Sequence, residues 1–567
     1  MRIKLFSLIT GFCLLNSTLL FSQQFNYKSL EASLQQAVKK ASVATVAVTQ
    51  YDPLKNFTVG PTFSAVVISA DGYILTAAHA VTTDLTYQVV FPDGKTTFAK
   101  GMGSVRDMDV DAAVIKINQE ANWPHAEMGW SSSLTSFQPC FSLGYPGNMP
   151  QSGHPLVRFG YITQSKAYPG FLCNTALMEP GDSGGPLFDI NGRVIGIHSR
   201  IGQSLDANFE VPVDVFRKYW NELKVASFYP SGKTLKGQEI DPMPASYKVE
   251  PIPALENMSA NFSTVLPAIE GYCLKLTSRL NGEESDAQAT LISVPGGKPN
   301  TSYLISKSSI VGDSIFISYN KNSLTAKAIA RDSINDLILL ETASTLNNGI
   351  SIISASTDKN LNEAGKFLLS PVVNEPARVS VLGSPRTGFI PPRRGSYIGV
   401  STVEKKNALY IEKITPGSSA ASSRLKPGDR IVSINGIKVN TSEDFGWEVA
   451  NCRPQTTIRL KGKRHGFGFT KTVTVKSFSL MTIDPKHIAE QFEGGFNVRR
   501  YGFRKAFIHD ARLYPSECGG PVFDGEGNFM GVNIARVSRT SSLAIPAEEV
   551  RSFVQLAMKS GDSATHK

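Results

Sequence analysis

Glu179-Pro180-Gly181-Asp182-Ser183-Gly184-Gly185-Pro186-Leu187 decides how the rest of this chain is read. Ser183 stands between an acid and two glycines, so the backbone can turn sharply there and lift the hydroxyl clear of its neighbours. Gly181 carries no side chain, and its N–H can point into a cavity beside the N–H of Ser183. Two such donors make an oxyanion hole, where loss of one donor costs about 3–4 kcal/mol. A serine hydroxyl is a weak nucleophile that needs a base, and the base needs an orienting partner. Both occur upstream. His79 ends the apolar run Tyr73-Ile74-Leu75-Thr76-Ala77-Ala78, and Asp111 heads Ala112-Ala113-Val114-Ile115-Lys116-Ile117. Asp109 is close enough to compete with Asp111. Taken singly, each residue also has a plain structural reading: a core histidine, a strand-end acid, a turn serine. Their occurrence together, in the order His, Asp, Ser, favours catalysis.

These three segments resemble the chymotrypsin-like serine proteases, and Asp71-Gly72-Tyr73-Ile74-Leu75-Thr76 resembles the HtrA/DegP branch. The resemblance implies a mainly β fold of two barrels and a His79–Asp111–Ser183 triad with Gly181 and Ser183 at the oxyanion hole. It places the base of the specificity pocket at Leu177 and Met178, and a serine supporting the catalytic acid at Ser199, which is otherwise a plain strand serine. His198 reads as structural. The branch usually has Asn before the nucleophile, and this chain has Asp182. Trypsin-like zymogens pair an Asp there with a newly cut amino terminus. No such terminus is foreseeable here, since Lys28–Lys40 reads as an amphipathic helix preceding the barrel. Asp182 therefore requires another partner.

Short β-rich runs follow that helix at Ser42–Thr49, Phe63–Ser69, Tyr73–Thr76, Tyr87–Phe91, Ala112–Ile117, Cys140–Leu143, Leu156–Thr163 and Val194–Ile197. Gly and Pro turns separate them, as barrels require. Phe209–Asp214 leads into a helix through Trp220. Residues 23–224 thus form the expected protease domain. In 225–260, Pro230, Ser231, Gly232, Pro242, Pro244, Pro251 and Pro253 mark a linker with no regular element.

Residues 261–560 repeat the first domain at low identity. Asp336-Leu337-Ile338-Leu339-Leu340 matches the run from Asp111. Ser516-Glu517-Cys518-Gly519-Gly520-Pro521 matches Gly181 through Pro186, and Leu304 through Ser309 matches Ile74 through His79. The second copy therefore reads Ser309, Asp336, Cys518. A thiol needs a base or another cause of thiolate formation, and Ser309 is no base. His465, His487 and His509 fall off the aligned position. A pseudoprotease in two parts, 261–394 and 478–560, is expected, with a tail at 561–567.

The insert between those parts contains Tyr397-Ile398-Gly399-Val400, Ile414 through Ala421, and Leu425-Lys426-Pro427-Gly428-Asp429-Arg430-Ile431-Val432-Ser433-Ile434-Asn435-Gly436. These segments resemble an HtrA-type PDZ domain over 395–477. In such a domain the Tyr397–Val400 loop turns N–H groups toward a peptide carboxylate, and a strand pairs with the peptide. Phe445 and Val449, on a helix from about Ser442 to Asn451, are candidates for the groove or for plain core.

The chain has 567 residues and a hydrophobic content of 41%, enough for several cores. Residues 1–22 read as a secretory signal peptide, with Arg2 and Lys4 before an apolar run. An uncleaved anchor is the other reading. No later stretch reaches the ~20 apolar residues of a spanning helix. The net charge of +10 is spread thinly, and no nucleic-acid, metal or cofactor motif is present. Past Cys13 there are five cysteines, Cys140, Cys173, Cys273, Cys452 and Cys518, too few and odd in number for a disulfide framework. Cys140 and Cys173 are the one pair within a single uninterrupted domain segment. The expected protein is a secreted or periplasmic serine endopeptidase that cleaves unfolded or damaged proteins after small or apolar residues and binds protein C-termini through its PDZ domain. The rival is a PDZ–pseudoprotease scaffold or chaperone with little turnover.

Overall fold

The computed structural model describes residues 26–564 apart from 148–152, 168–169, 347, 353–360, 385–387, 393, 416 and 480–483. The signal segment 1–22 and Cys13 lie outside the described residues. Among the latter, no helix is long and apolar enough to cross a membrane.

The chain opens on the helix Tyr27–Ser42, whose first turn is capped by the Asn26 side chain accepting from Ser29 N–H at 3.2 Å. Leu30, Leu34, Ala37, Val38 and Ala41 recur on one face and are buried. That face packs on the second copy as well as the first. Glu31 accepts the Phe367 N–H at 2.5 Å, and Tyr27 Oη donates to Gly525 O at 2.7 Å.

Six strands then close a ring: Thr96–Arg106, Thr86–Val90, Thr45–Asp52, Phe57–Val67, Tyr73–Ala77 and Asp111–Ile117, with the first and last also paired. Alternating Val, Ile and Ala residues of these strands fill the ring with Tyr87, Phe91 and Trp123. Pro139–Gly144, Leu156–Ala167, Phe171–Asn174, Pro186–Asp189, Val194–Ile201 and Asn208–Pro212 form a second closed barrel. The helices Val213–Lys218 and Trp220–Leu223 follow it. Thr96–Arg106, Phe171–Asn174, Pro186–Asp189 and Asn208–Pro212 were not foreseen as strands. Three of them are only four or five residues long, and Thr96–Arg106 mixes polar residues with glycines, so β-propensity is weak there.

The expected linker does contain regular elements. Phe228–Tyr229 pairs in parallel with Ser104–Val105, and short 3₁₀ turns occur at Gly232–Thr234, Ala245–Tyr247 and Pro253–Phe262. Proline removes the N–H groups of a longer ladder but tolerates a single turn. The segment is strapped onto the first domain: Trp130 Nε1 donates to Asp241 O at 2.9 Å and Ile252 N to Phe137 O at 2.8 Å.

The second copy repeats the ring with Cys273–Leu280, Glu283–Ser293, Ser302–Lys307, Asp313–Tyr319, Asn322–Asp332 and Leu337–Thr342. Its other sheet runs through Glu375–Val381, Phe367–Val372, Pro521–Asp524, Phe529–Arg536, Ser542–Pro546, Phe503–His509 and Gly388–Ile390. Between the strands Gly388–Ile390 and Phe503–His509 the chain leaves to build a separate sheet of Val400–Lys405, Ala408–Ile414, Arg430–Ile434, Thr457–Arg464 and Phe467–Thr474, with the helix Ser442–Ala450 against it. The fold is mainly β, as expected. The cysteines Cys140, Cys173, Cys273, Cys452 and Cys518 are all free thiols, so the candidate pair Cys140 and Cys173 is not bridged.

Candidate active site

His79 sits on a 3₁₀ turn, Ala78–Ala80, at the end of the strand Tyr73–Ala77. That strand pairs with Asp111–Ile117, Ala77 opposite Ala112, which delivers Asp111 to the imidazole. Asp111 Oδ1 accepts the His79 N–H at 2.9 Å, and Oδ2 lies 2.7 Å from His79 Nδ1. Ser199 Oγ donates to the same Oδ2 at 2.6 Å. Burial alone pushes the Asp111 carboxyl up, but the His79 ring, the Ser199 hydroxyl and the His79 N–H outweigh it and hold the group below the usual carboxylate range. Asp109 does not compete; it faces Lys233 Nζ at 3.4 Å on the surface.

The turn around Ser183 depends on two glycines with left-handed backbone, Gly181 at φ +103° and Gly184 at φ +79°. A Cβ on Gly184 would lie 2.0 Å from Thr76 Oγ1 and 2.5 Å from Ser64 O, so only glycine lets the turn dock against the strand that ends at His79. Ser64 fixes the turn from the other side, its N–H donating to Ser183 O at 3.1 Å and its hydroxyl to Gly181 O at 2.8 Å. Pro180 O accepts the Gly147 N–H at 2.9 Å. In a planar trans peptide the Gly181 N–H then points the opposite way. Among the described residues neither this N–H nor that of Ser183 has a partner, so both are available as donors. Ser183 is half-buried and His79 is open to solvent, and no hydrogen bond joins Ser183 Oγ to the imidazole in this conformation.

The second copy reproduces the scaffold with different side chains. Ser309 stands on an equivalent 3₁₀ turn and donates its N–H to Asp336 Oδ1 and its hydroxyl to Oδ2, each at 2.8 Å. Lys307, wholly buried, also reaches Asp336 Oδ2 at 2.6 Å and donates to Arg499 O at 3.0 Å. Cys518 has no exposed surface; its thiol is pushed up to about 12 by burial, against the attraction of Lys307, and donates to Asn497 Oδ1 at 3.3 Å.

In the inserted sheet, Gly399 has φ +83°. Ile398 O accepts from Ala420 N–H and Gly399 O from Thr415 N–H, both at 2.9 Å. With these carbonyls turned inward, the Gly399 N–H faces away from the Ile398 carbonyl and has no partner among the described residues. Tyr397 is exposed, Ile398 is buried and Val400 half-buried. Phe445 and Val449 are buried in the core of this module. The strand Val400–Lys405 and the helix Ser442–Ala450 are tied at one end, Thr402 Oγ1 to Ser442 Oγ at 2.9 Å and Ser442 N to Glu404 Oε1 at 3.0 Å.

A trypsin-like peptidase domain model matches residues 63–197, and a PDZ domain model matches residues 396–476. A probable periplasmic serine endoprotease DegP-like of Bartonella henselae is 24% identical over 406 residues, covering 69% of this chain and 69% of that protein. Its namesake in Halomonas elongata is 33% identical over 171 residues, 28% of this chain and 35% of that one. The chain is HtrA/DegP-like. Among solved structures, an HtrA-type protease AlgW with tripeptide is similar at 17% identity and a TM-score of 0.28, covering 79% of this chain and 97% of that one.

Three features of this HtrA/DegP-like chain were not legible in its sequence. Asp182 finds its partner in Arg158, whose Nη1 donates to Asp182 Oδ1 at 2.9 Å inside the second barrel. An arginine in a β-rich run gives no sign of a buried counter-ion. Leu177 and Met178 are buried, and Leu177 packs with Leu205 and with Phe492 of the second copy. Behind them a cavity of about 550 Å³ separates the two copies, lined in part by Leu177, Leu205, Met258 and Tyr514. His198 is structural, as expected: its Nδ1 lies 2.6 Å from Glu210 Oε2, and Asn174 Nδ2 donates to Glu210 Oε1 at 2.9 Å. The one available signal was Lys307, the one charged residue of its strand, aligned with Ala77.

Proposed function

We propose that this HtrA/DegP-like chain is a working serine endopeptidase. The observation that carries the reading is the Asp111 carboxylate, which His79 and Ser199 share beside a nucleophile turn with two unpartnered N–H groups. Ser183 Oγ attacks the scissile carbonyl and His79 Nε2 takes its proton, then returns it to the leaving amine. Asp111 keeps the Nδ1–H tautomer and favours the imidazolium that forms. The tetrahedral oxyanion is received by the N–H groups of Gly181 and Ser183. The Ser183–His79 hydrogen bond forms when substrate excludes water, since catalytic bonds are often long or unmade in free enzymes.

The preferred substrates are unfolded or damaged proteins, cleaved after small or apolar residues. Leu177 and Met178 offer no partner for a charged side chain, and burying an unpaired charge is costly. Residues 395–477 bind the free C-termini of such proteins through the Tyr397–Val400 loop. Residues 23–224 form the protease domain and 225–260 the strap; 261–394 and 478–560 form the inactive copy. The compartment is the periplasm or the exterior, in keeping with the opening apolar segment and the names of the relatives. A serine-reactive fluorophosphonate probe tests the activity: wild type should be labelled and Ser183→Ala should not. A wild type that stays unlabelled would overturn the reading in favour of a scaffold.

A further inference from the structure

The nucleophile turn is braced from behind, and half of the brace belongs to the other copy. Arg158 and Asp182 are 1% and 0% exposed in their side chains. One oxygen of Asp182 accepts from Arg158 Nη1; the other accepts the Glu179 N–H at 2.9 Å and so closes residues 179–182 on themselves. The conformation of that small ring sets the directions of the Gly181 and Ser183 N–H groups. Arg158 on one oxygen and the Glu179 N–H on the other together fix the carboxylate in orientation as well as position.

Arg158 is itself held from the second copy. Its Nη2 donates to Thr540 Oγ1 at 3.3 Å. The residues on either side of it donate backbone N–H groups across the same boundary, Val157 to Gly383 O and Phe159 to Asp510 Oδ2, both at 2.9 Å. Asp510 is anchored in turn by the Val381 N–H at 2.7 Å. Glu179 is also buried, and neither of its carboxylate oxygens has a hydrogen-bond partner among the described residues. Without the second copy, this strand would leave its N–H groups to water and Arg158 would lose one arm and its cover.

We propose that Arg158 is a positioning residue for the nucleophile turn, and that the inactive copy serves as its clamp in cis through Thr540 and Asp510. The pair does from inside the fold what a cut amino terminus does in a zymogen, so the chain needs its second copy for turnover. This rests on the endopeptidase reading, and the test separates the two.

The experiment uses the full-length chain. In a Ser183→Ala background, hydrogen exchange of the amides of residues 179–185 is compared with and without Arg158→Met, which reads the turn whether or not the protein is an enzyme. Exchange there should speed up while the PDZ amides stay as they were. With Ser183 restored, Arg158→Met should slow fluorophosphonate labelling and kcat by about 100-fold with KM nearly unchanged, the scale of a misplaced reacting group. Arg158→Met/Asp182→Asn should recover most of that loss, because no unpaired charge stays buried. Thr540→Val/Asp510→Asn should reproduce the defect in milder form, about tenfold. If Arg158→Met fails to fold, Arg158→Lys replaces it, and it should label more slowly than wild type. Wild-type exchange and labelling in folded Arg158 variants would overturn the positioning role. Wild-type behaviour of Thr540→Val/Asp510→Asn would overturn the clamp. An unlabelled wild type whose turn still loosens in Arg158→Met would sink the endopeptidase reading and leave the clamp standing.

Discussion

Ser309 holds Asp336 as His79 holds Asp111: its N–H donates to Oδ1 at 2.8 Å, where the His79 N–H donates at 2.9 Å. The backbone of the site has been copied to within a hydrogen bond, and the imidazole has been exchanged for a hydroxyl that reaches the same Oδ2. Lys307 brings a buried positive charge to that carboxylate, so the acid remains paired without the histidine. What distinguishes the two copies is therefore side-chain chemistry laid on one scaffold.

In the first copy, catalysis should collapse when Ser183, His79 or Asp111 is removed. We expect Ser183→Ala and His79→Ala to lose roughly 10⁴–10⁶ in casein cleavage. Ser199→Ala should cost far less, since it removes one of three hydrogen bonds to Asp111 and leaves the imidazole in place. Wild-type turnover in either of the first two variants would end the assignment.

The meeting of His79 and Asp111 could be read from sequence because each lies in a short motif with a rigid local reason, a strand end and the head of a paired strand, and the turn at Ser183 could be read from its glycines. The barrels could be read from turn punctuation, although Thr96–Arg106 escaped because its alternation is blurred by Gly101 and Gly103. Those glycines lie against Thr82 and Leu223 of neighbouring segments, a tertiary demand that no local pattern expresses. Arg158, Phe492 and Thr540 stayed hidden for the same reason. Each acts through a partner more than 20 residues away, and Phe492 and Thr540 act across the boundary between copies.

Specificity should be set by both copies. Leu177 touches Leu205 on its own domain and Phe492 on the other, so the apolar floor is backed by a ring that the protease domain does not own. Digests of an unfolded protein, read by mass spectrometry, should show cleavage after Val, Ala, Leu and similar residues. Discrimination among them should be modest, about 1–3 kcal/mol per methylene. Phe492→Ala should relax the preference toward larger apolar residues by letting Leu177 move back. A dominant Lys or Arg preference in wild type would contradict the floor.

The PDZ module should require a free carboxylate. The inward carbonyls of Ile398 and Gly399 leave the loop N–H groups to face outward, which suits an anion and not an amide. Titration of full-length Ser183→Ala with apolar peptides should show binding of the free-acid form and at least tenfold weaker binding of amidated controls, about 1.4 kcal/mol. Equal affinities would mean that the loop is no clamp. Because Phe445 and Val449 are core residues, their truncation should unfold the module before it reshapes a groove.

Stability should fall as pH rises through neutrality because of Glu179. Its carboxyl is pushed up to about 7, first by burial and then by the Asp182 charge, so the folded state holds a proton that the unfolded chain releases above the ordinary carboxylate range. A group raised in the folded state stabilises fully below its unfolded pKa, and that contribution is lost as pH climbs to about 7 and beyond. The full shift is worth about 3 kcal/mol at 1.36 kcal/mol per unit. Thermal melts of wild type should drop from pH 5 to pH 8, and Glu179→Gln should flatten that drop. An identical pH dependence in the variant would show that Glu179 does not carry it.

The second copy should have no proteolytic activity of its own, and the reason is more than a missing histidine. A thiol with an ordinary pKa of about 8.5 still yields a few per cent thiolate near neutrality. Cys518 is denied even that, pushed up to about 12 by burial despite the nearby Lys307 ammonium. Lys307 cannot serve as its base, because the ammonium is committed to Asp336 and the Arg499 carbonyl. The stretch that supplies Arg499 also supplies Asn497, which accepts the Cys518 thiol proton at 3.3 Å and the Arg536 N–H at 2.8 Å. Cys518 is thus hydrogen-bonded to this stretch and has no exposed surface. Ser516, in place of a glycine at the oxyanion position, is a further departure. Full-length Ser183→Ala should accordingly show no residual cleavage sensitive to thiol reagents, and Cys518→Ala in the wild-type background should leave turnover unchanged. Iodoacetamide should modify Cys518 only after unfolding. Thiol-sensitive cleavage in Ser183→Ala that disappears in Ser183→Ala/Cys518→Ala would make this copy a cysteine protease, and would require the Asn497–Arg499 segment to swing out of the site.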